Sequence, residues 1–127
     1  MAAKVSWFKE GHIILLKSSR TMTEADIMAL DPIVYDYMSE ATSPHVHIII
    51  DDTDVESMPS VHSYKALQSL KHPKMGWTIV VGLNNKVFRM MYAIVCHIKG
   101  IPLYMAESME EAAQFIQQTD VQPVPKI

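Results

Sequence analysis

Along this chain the spacing of apolar residues alternates between the two-residue period of a strand and the three-to-four-residue period of a helix, and that alternation predicts the elements. Residues 5–8 and 12–18 read as short strands on either side of Glu10-Gly11, a turn signal that predicts an antiparallel hairpin. A helix follows, capped by Thr21 or Thr23, with Ile27, Leu30, Val34, Tyr37 and Met38 at helical spacing. Pro32 falls inside this run and removes one helical hydrogen bond. It predicts a kink, or a restart with Asp31 as cap and Pro32 in the first position. Residues 46–50 are rich in β-branched side chains, the pattern of a strand covered on both faces. Ser60 is then expected to open a helix bearing Val61, Tyr64, Leu67 and Leu70, ended by Lys71-His72-Pro73.

Residues 77–81 form another buried-type strand, closed by Gly82-Leu83-Asn84-Asn85. A helix over about 86–99 carries Val87, Met90, Met91, Ile94, Val95 and Ile98 and stops at Gly100. Residues 101–105 are the last strand. Ser108-Met109-Glu110-Glu111 has the form of a capping box, opening a final helix with Ala112, Phe115 and Ile116 turned inward. The proline-bearing tail, 119–127, is expected to be extended. Strands that alternate with helices imply right-handed crossovers. The expected fold class is therefore α/β: one domain over 1–127 with its core at about 5–118, a mainly parallel sheet of about five strands with an N-terminal antiparallel hairpin strand, and about four helices.

Composition narrows the partners. A net charge of −3, with its 11 Lys and Arg scattered along the chain, gives no footprint for nucleic acid. No apolar run approaches the roughly 20 residues that a membrane-spanning helix needs. No signal peptide is visible, and the lone Cys96 fits a reducing compartment, so a cytoplasmic location is expected. Ten methionines are adaptable core fillers that also suit a permissive binding groove.

The candidate chemistry gathers between His45 and Leu70. The carboxyl end of a strand in an open α/β sheet is where ligands are usually received. Asp51, Asp52, Asp54 and Glu56 follow the isoleucine run there, and Ser57, Ser60 and His62 come just after. Oxygen ligands of this kind could hold Mg²⁺, and Asp52-Thr53-Asp54 resembles the entry motif of aspartate-nucleophile phosphotransferases. Later strand ends supply neither the lysine nor the second acidic pair that such an enzyme needs. His45 and His47 share one strand face, but no CxxC or HExxH motif accompanies them. No catalytic residue, metal ligand or cofactor is assigned. Ser60 is placed to act as a helix cap, and the same position favours a phosphate. Cys96 lies among Ile94, Val95 and Ile98, as a buried inert thiol would.

The element order, with a serine after the middle strand and the closing pattern Ile101-Pro102-Leu103-Tyr104 then Ser108-Met109-Glu110-Glu111-Ala112, resembles the STAS fold of anti-sigma-factor antagonists, in its divergent SpoIIAA-like branch. In regulatory members a serine in an Asp-Ser-Ser-Gly-like motif is phosphorylated by a partner kinase, and Ser60 falls at that position. Pro59 stands where the family has Asp, and Val61-His62 replace Ser-Gly. The resemblance thus implies a docking surface with a structural cap more than a working phosphoswitch.

Two functions are expected from this. The first is a non-enzymatic regulatory or protein-interaction module of STAS-like type, using the loop of Asp51, Asp52, Asp54, Glu56, Ser57, Ser60 and His62. The alternative is a binding or carrier domain for a small apolar, lipid-like ligand, with an apolar groove at Met90, Met91 and Ile94, because some STAS-like and CRAL-TRIO-like relatives bind such ligands. A Mg²⁺-dependent phosphotransferase at Asp52 and Asp54 lacks its partner residues. The partner is accordingly a protein or a small apolar ligand, and a homodimer remains open.

Overall fold

Strand order in the sheet follows chain order: β1 (Lys4–Lys9), β2 (Ile13–Lys17), β3 (Val46–Asp51), β4 (Met75–Val81) and β5 (Leu103–Ala106). The computed structural model describes residues 3–119, so the expected extended tail falls, apart from Thr119, outside the described residues. β1 and β2 pair antiparallel across a tight turn in which Gly11 adopts a φ of 76°, a conformation only glycine takes without strain. The other three pairings are parallel.

The parallel steps all advance in the same direction. Right-handed crossovers then place every connection on one face of the sheet. On that face lie α1 (Glu24–Glu40), the 61–71 connection and α2 (Lys86–Lys99). The last helix, α3 (Met109–Thr119), crosses between no strands and covers the opposite face. Two cores result. Ile13, Ile49, Ile79 and Val81 pack under Ala112 and Ile116 of α3, with Phe115 stacked on Tyr104 at 3.9 Å and edge-on to Trp77 at 4.9 Å. Ile14, Val46 and Ile48 pack under Val34 and Met38 of α1. Successive strand residues point to opposite faces, so one isoleucine run serves both layers.

α1 starts at the Thr23 cap in a reciprocal capping box. The Thr23 hydroxyl accepts the Asp26 amide at 3.1 Å, and Asp26 accepts the Thr23 amide at 2.9 Å. Asn85 caps α2 through the amides of Val87 and Phe88, and Gly100 ends it with a φ of 70°. The Ser108 hydroxyl accepts the Glu111 amide at 3.1 Å at the start of α3, while the Glu111 carboxylate accepts from the Tyr104 hydroxyl at 2.9 Å.

Two expectations are corrected. α1 does not restart at Pro32 but runs through it, with the proline ring exposed and Asp31 buried beside it. The helix expected from Ser60 is absent: Val61–Tyr64 and Ser69–Lys71 are single 3₁₀ turns, so the described residues hold three α-helices rather than four. Both corrections involve Asp31. Asp31 accepts the amides of Gln68 and Ser69, each at 2.8 Å, and so takes the donors that an α-helix would turn back onto its own carbonyls. The spacing of Val61, Tyr64, Leu67 and Leu70 is a strict three, which is the 3₁₀ period rather than 3.6. Ser60, Ser63 and Ser69 add little helix propensity against this.

Candidate functional site

A short, irregular connection occupies the place where a full helix would cover the sheet between α1 and α2. The space it leaves is a cavity of about 100 Å³, bounded by β2 to β4, α1, the 61–71 segment and α2. A cavity of about 150 Å³ is enough to hold benzene, so this one is about two-thirds of the space a six-carbon ring needs before its walls move. Its walls can also give. Met22, Met38, Met58, Met75 and Met91 all line it, five of the chain's ten methionines, and an unbranched thioether re-packs around a guest at little cost.

Several of the polar groups around this cavity are closed on one another. Asp52 continues the alternation of Ile48 and Ile50 past the end of β3 and therefore turns inward, to 1% exposure. Its carboxylate accepts the Ser18 hydroxyl at 2.5 Å and the Tyr92 hydroxyl at 2.7 Å. Burial raises its pKa, and the two hydroxyl donors partly offset that rise. Burial and the nearby Asp52 charge also raise Tyr64 and hold Tyr92 well above its ordinary value. Cys96 is pushed up to about 11 by burial, which keeps its thiol protonated and unreactive at neutral pH.

Thr78 differs. It sits in the middle of β4, is 3% exposed, lines the cavity, and its hydroxyl has no hydrogen-bond partner among the described residues. A buried hydroxyl left unpaired costs about 1–3 kcal/mol. Valine has the same shape, and β-branched apolar residues fill the next three positions, Ile79, Val80 and Val81.

The residues expected to form a binding loop separate into two environments. Asp52 leaves that loop for the interior, which corrects its reading as a surface ligand. Asp51 accepts the Thr53 hydroxyl at 2.6 Å and pairs with Lys17 at 3.3 Å. Its pKa falls because these contacts outweigh the opposing effect of burial. Asp54 and Glu56 are exposed, 3.7 Å from Lys17 and Arg20 respectively. The Ser57 carbonyl accepts the Met22 amide at 2.8 Å, with its side chain at the surface. Ser60 and His62 are exposed, and the Ser60 side chain makes no capping bond because the helix it would cap is not there. Of the groove residues, Met91 lines the cavity while Met90 and Ile94 face outward at 62% and 41% exposure. Among the described residues no three of His, Cys, Asp and Glu gather as a metal ion would require.

Sequence reasoning missed Ser18, Asp31, Tyr64, Thr78 and Tyr92. A hydroxyl inside an otherwise apolar, twice-covered strand was the signal for Thr78. The period-2 continuation from Ile48 through Ile50 was the signal for Asp52. The tyrosines gave none, since aromatic residues on a helix-like spacing read as core.

No known family model matches the chain, and no curated protein does. Among solved structures, an uncharacterised protein of the DUF3478 family from Shewanella loihica PV-4, described as having a SpoIIAA-like fold, superposes with a TM-score of 0.64 over 90% of this chain and 91% of that one. The fold is SpoIIAA-like. At 14% identity the likeness extends to architecture and not to side-chain chemistry. It agrees with the STAS-like order of elements, with its five-stranded, mostly parallel sheet and one antiparallel pair. In this SpoIIAA-like domain no helix among the described residues is long and apolar enough to cross a membrane.

Proposed function

We propose that this SpoIIAA-like domain is a non-enzymatic binding domain that holds a small apolar ligand between its sheet and the α1–α2 layer. The observation that carries this reading is the methionine-walled cavity. Native interiors are close-packed, and a void of this size inside a domain of 127 residues gives up contacts that a packed side chain would supply. The buried carboxylates support binding over catalysis, since Asp52 and Asp31 both have their oxygens occupied by protein donors.

A guest that hides about 150 Å² of apolar surface gains roughly 4 kcal/mol, which corresponds to a Kd of about 1 mM for a probe-sized molecule. A larger natural ligand that displaces the methionines would bind more tightly. The test is thermal unfolding with a saturating apolar probe such as benzene. At ten times Kd the stabilisation is about 1.4 kcal/mol, or roughly 5 °C for a domain of this length. Val95→Phe, which places a ring in the cavity, abolishes the shift, and Leu70→Phe serves if that variant folds poorly. An unchanged Tm in the parent protein refutes the reading.

One observation supports a second reading, a regulatory module of the kind the SpoIIAA-like fold suggests. Val87, Met90, Ile94 and Ile98 form an apolar stripe along the outer face of α2, and Val87, Met90 and Ile98 each exceed 60% exposure. Under this reading α2 and the exposed loop residues Asp54, Glu56, Ser57, Ser60 and His62 dock a protein, including a second copy of the chain. Sedimentation at 10–100 µM tests the self-association branch (roughly the range where weak dimers form): Met90→Glu abolishes any dimer seen in the parent, and a dimer that survives it contradicts the use of this face.

A further inference from the structure

Resting on the ligand-binding reading, we infer that the cavity selects a neutral ligand carrying a hydrogen-bonding oxygen that pairs with the Thr78 hydroxyl. Asp52 has both oxygens taken by Ser18 and Tyr92, and Asp31 has both taken by the amides of Gln68 and Ser69. Thr78 lines the same cavity and is almost wholly buried, and its hydroxyl has no partner among the described residues. Buried hydroxyls in native proteins are nearly always paired, so the partner of this one comes from outside the chain. It lies at mid-strand, opposite Ile48 on one side and Leu103 on the other, where neither neighbour can donate or accept through its side chain.

Charge narrows the class further. The residues lining the cavity include no Lys, Arg or His, while Asp31 is among them and Asp52 stands directly behind Ser18 and Tyr92. A carboxylate or phosphate drawn into this space would lose its water with no counter-charge and meet two acids. An ammonium group would lose its water as well, and the Asp52 and Asp31 carboxylates already hold two protein donors each. An alcohol, ketone, ester or amide meets neither obstacle. Each can bond Thr78, which donates to a carbonyl and both donates to and accepts from a hydroxyl.

Cyclohexanol and methylcyclohexane have nearly the same shape and differ in whether they carry that oxygen. Their affinities are measured on the parent protein and on Thr78→Val by titration followed through the methionine methyl resonances. Because the hydrocarbon leaves water more readily, the informative quantity is the ratio of the two dissociation constants, methylcyclohexane over cyclohexanol. That ratio falls about fivefold on Thr78→Val, within the roughly two- to tenfold range expected for one hydrogen bond. Thr78→Ser, which keeps the hydroxyl, restores it. Cyclohexanecarboxylate at pH 7 binds at least about tenfold more weakly than cyclohexanol, as burial of an unpaired charge requires. A ratio unchanged by Thr78→Val overturns the role of Thr78 while leaving the cavity a binding site. Carboxylate binding as tight as the alcohol's overturns the neutral-ligand class. If neither neutral probe binds, the ligand-binding reading and this inference both fail.

Discussion

Replacing Asp31 with alanine tests the contact that decides how the 61–71 segment is built. The buried Asp31 carboxylate accepts two backbone amides, Gln68 and Ser69, both at 2.8 Å. Hydrogen bonds to a charged group contribute about 1.5–3 kcal/mol each. The pair gives an upper figure of about 6 kcal/mol, from which the cost of burying the carboxylate is subtracted. A net loss of about 3 kcal/mol is expected for Asp31→Ala. For a domain of this size that is roughly a 10 °C fall in Tm, and a large share of the 5–15 kcal/mol typical of whole domains. Asp31→Asn retains one acceptor oxygen and should lose about half as much. Chemical denaturation gives the free energies. Amide hydrogen exchange then locates the effect, with Gln68 and Ser69 losing protection before the sheet does. A loss below about 1 kcal/mol, or unchanged exchange at those two amides, refutes the claim that Asp31 holds the connection in its non-helical form.

Three further outcomes follow from buried groups. The Asp52 pKa is raised above its unfolded value of 3.8, so the folded state binds the extra proton. Stability is fully present below 3.8 and is lost as pH rises through the folded value; Asp52→Asn, which keeps hydrogen-bonding capacity, should flatten that fall in a pH series of denaturant melts. His72 behaves oppositely. Burial and Lys74 lower it from 6.5, so its contribution is present above 6.5 and is lost as pH drops through the folded value. Protonating Nδ1, which accepts the Lys74 amide at 3.0 Å, should be visible as a depressed titration of the ring in NMR. At Gly76 an added Cβ would lie 2.5 Å from His47 Nδ1, whose ring accepts the Trp77 amide at 2.9 Å. Gly76→Ala should therefore cost about 1–3 kcal/mol in equilibrium unfolding, and a neutral effect would show that His47 moves aside freely.

The strands were legible because β-branched residues cluster where both faces of the sheet are covered, as at Ile48, Ile49 and Ile50. The α1 and α3 caps were legible because a side-chain oxygen next to an apolar run is a local signal. The 61–71 segment was not, since its form is decided by Asp31, about 37 residues earlier in the chain. Helix propensity and spacing are local quantities, and a tertiary acceptor overrides both. The cavity was hidden for a related reason. Its five methionines come from positions between 22 and 91 and meet only when three crossovers share one sheet face. Asp51 and Asp52, neighbours in an acidic run, point to opposite sides of the strand end, one paired with Lys17 and the other at 1% exposure. Proximity in sequence made them look like one site; the strand alternation that separates them was present but ran two residues beyond the apolar run that marked the strand.

The central claim is that the space under α2 is a binding cavity, and the methionine methyl groups read it directly. With ¹³C-methyl-methionine protein and benzene as the probe, Met22, Met38, Met58, Met75 and Met91 should shift together along one saturable curve, while the exposed Met28 and Met90 stay in place. If Met28 and Met90 move and the five lining residues do not, the guest sits on the outer face of α2 and the cavity is not the site.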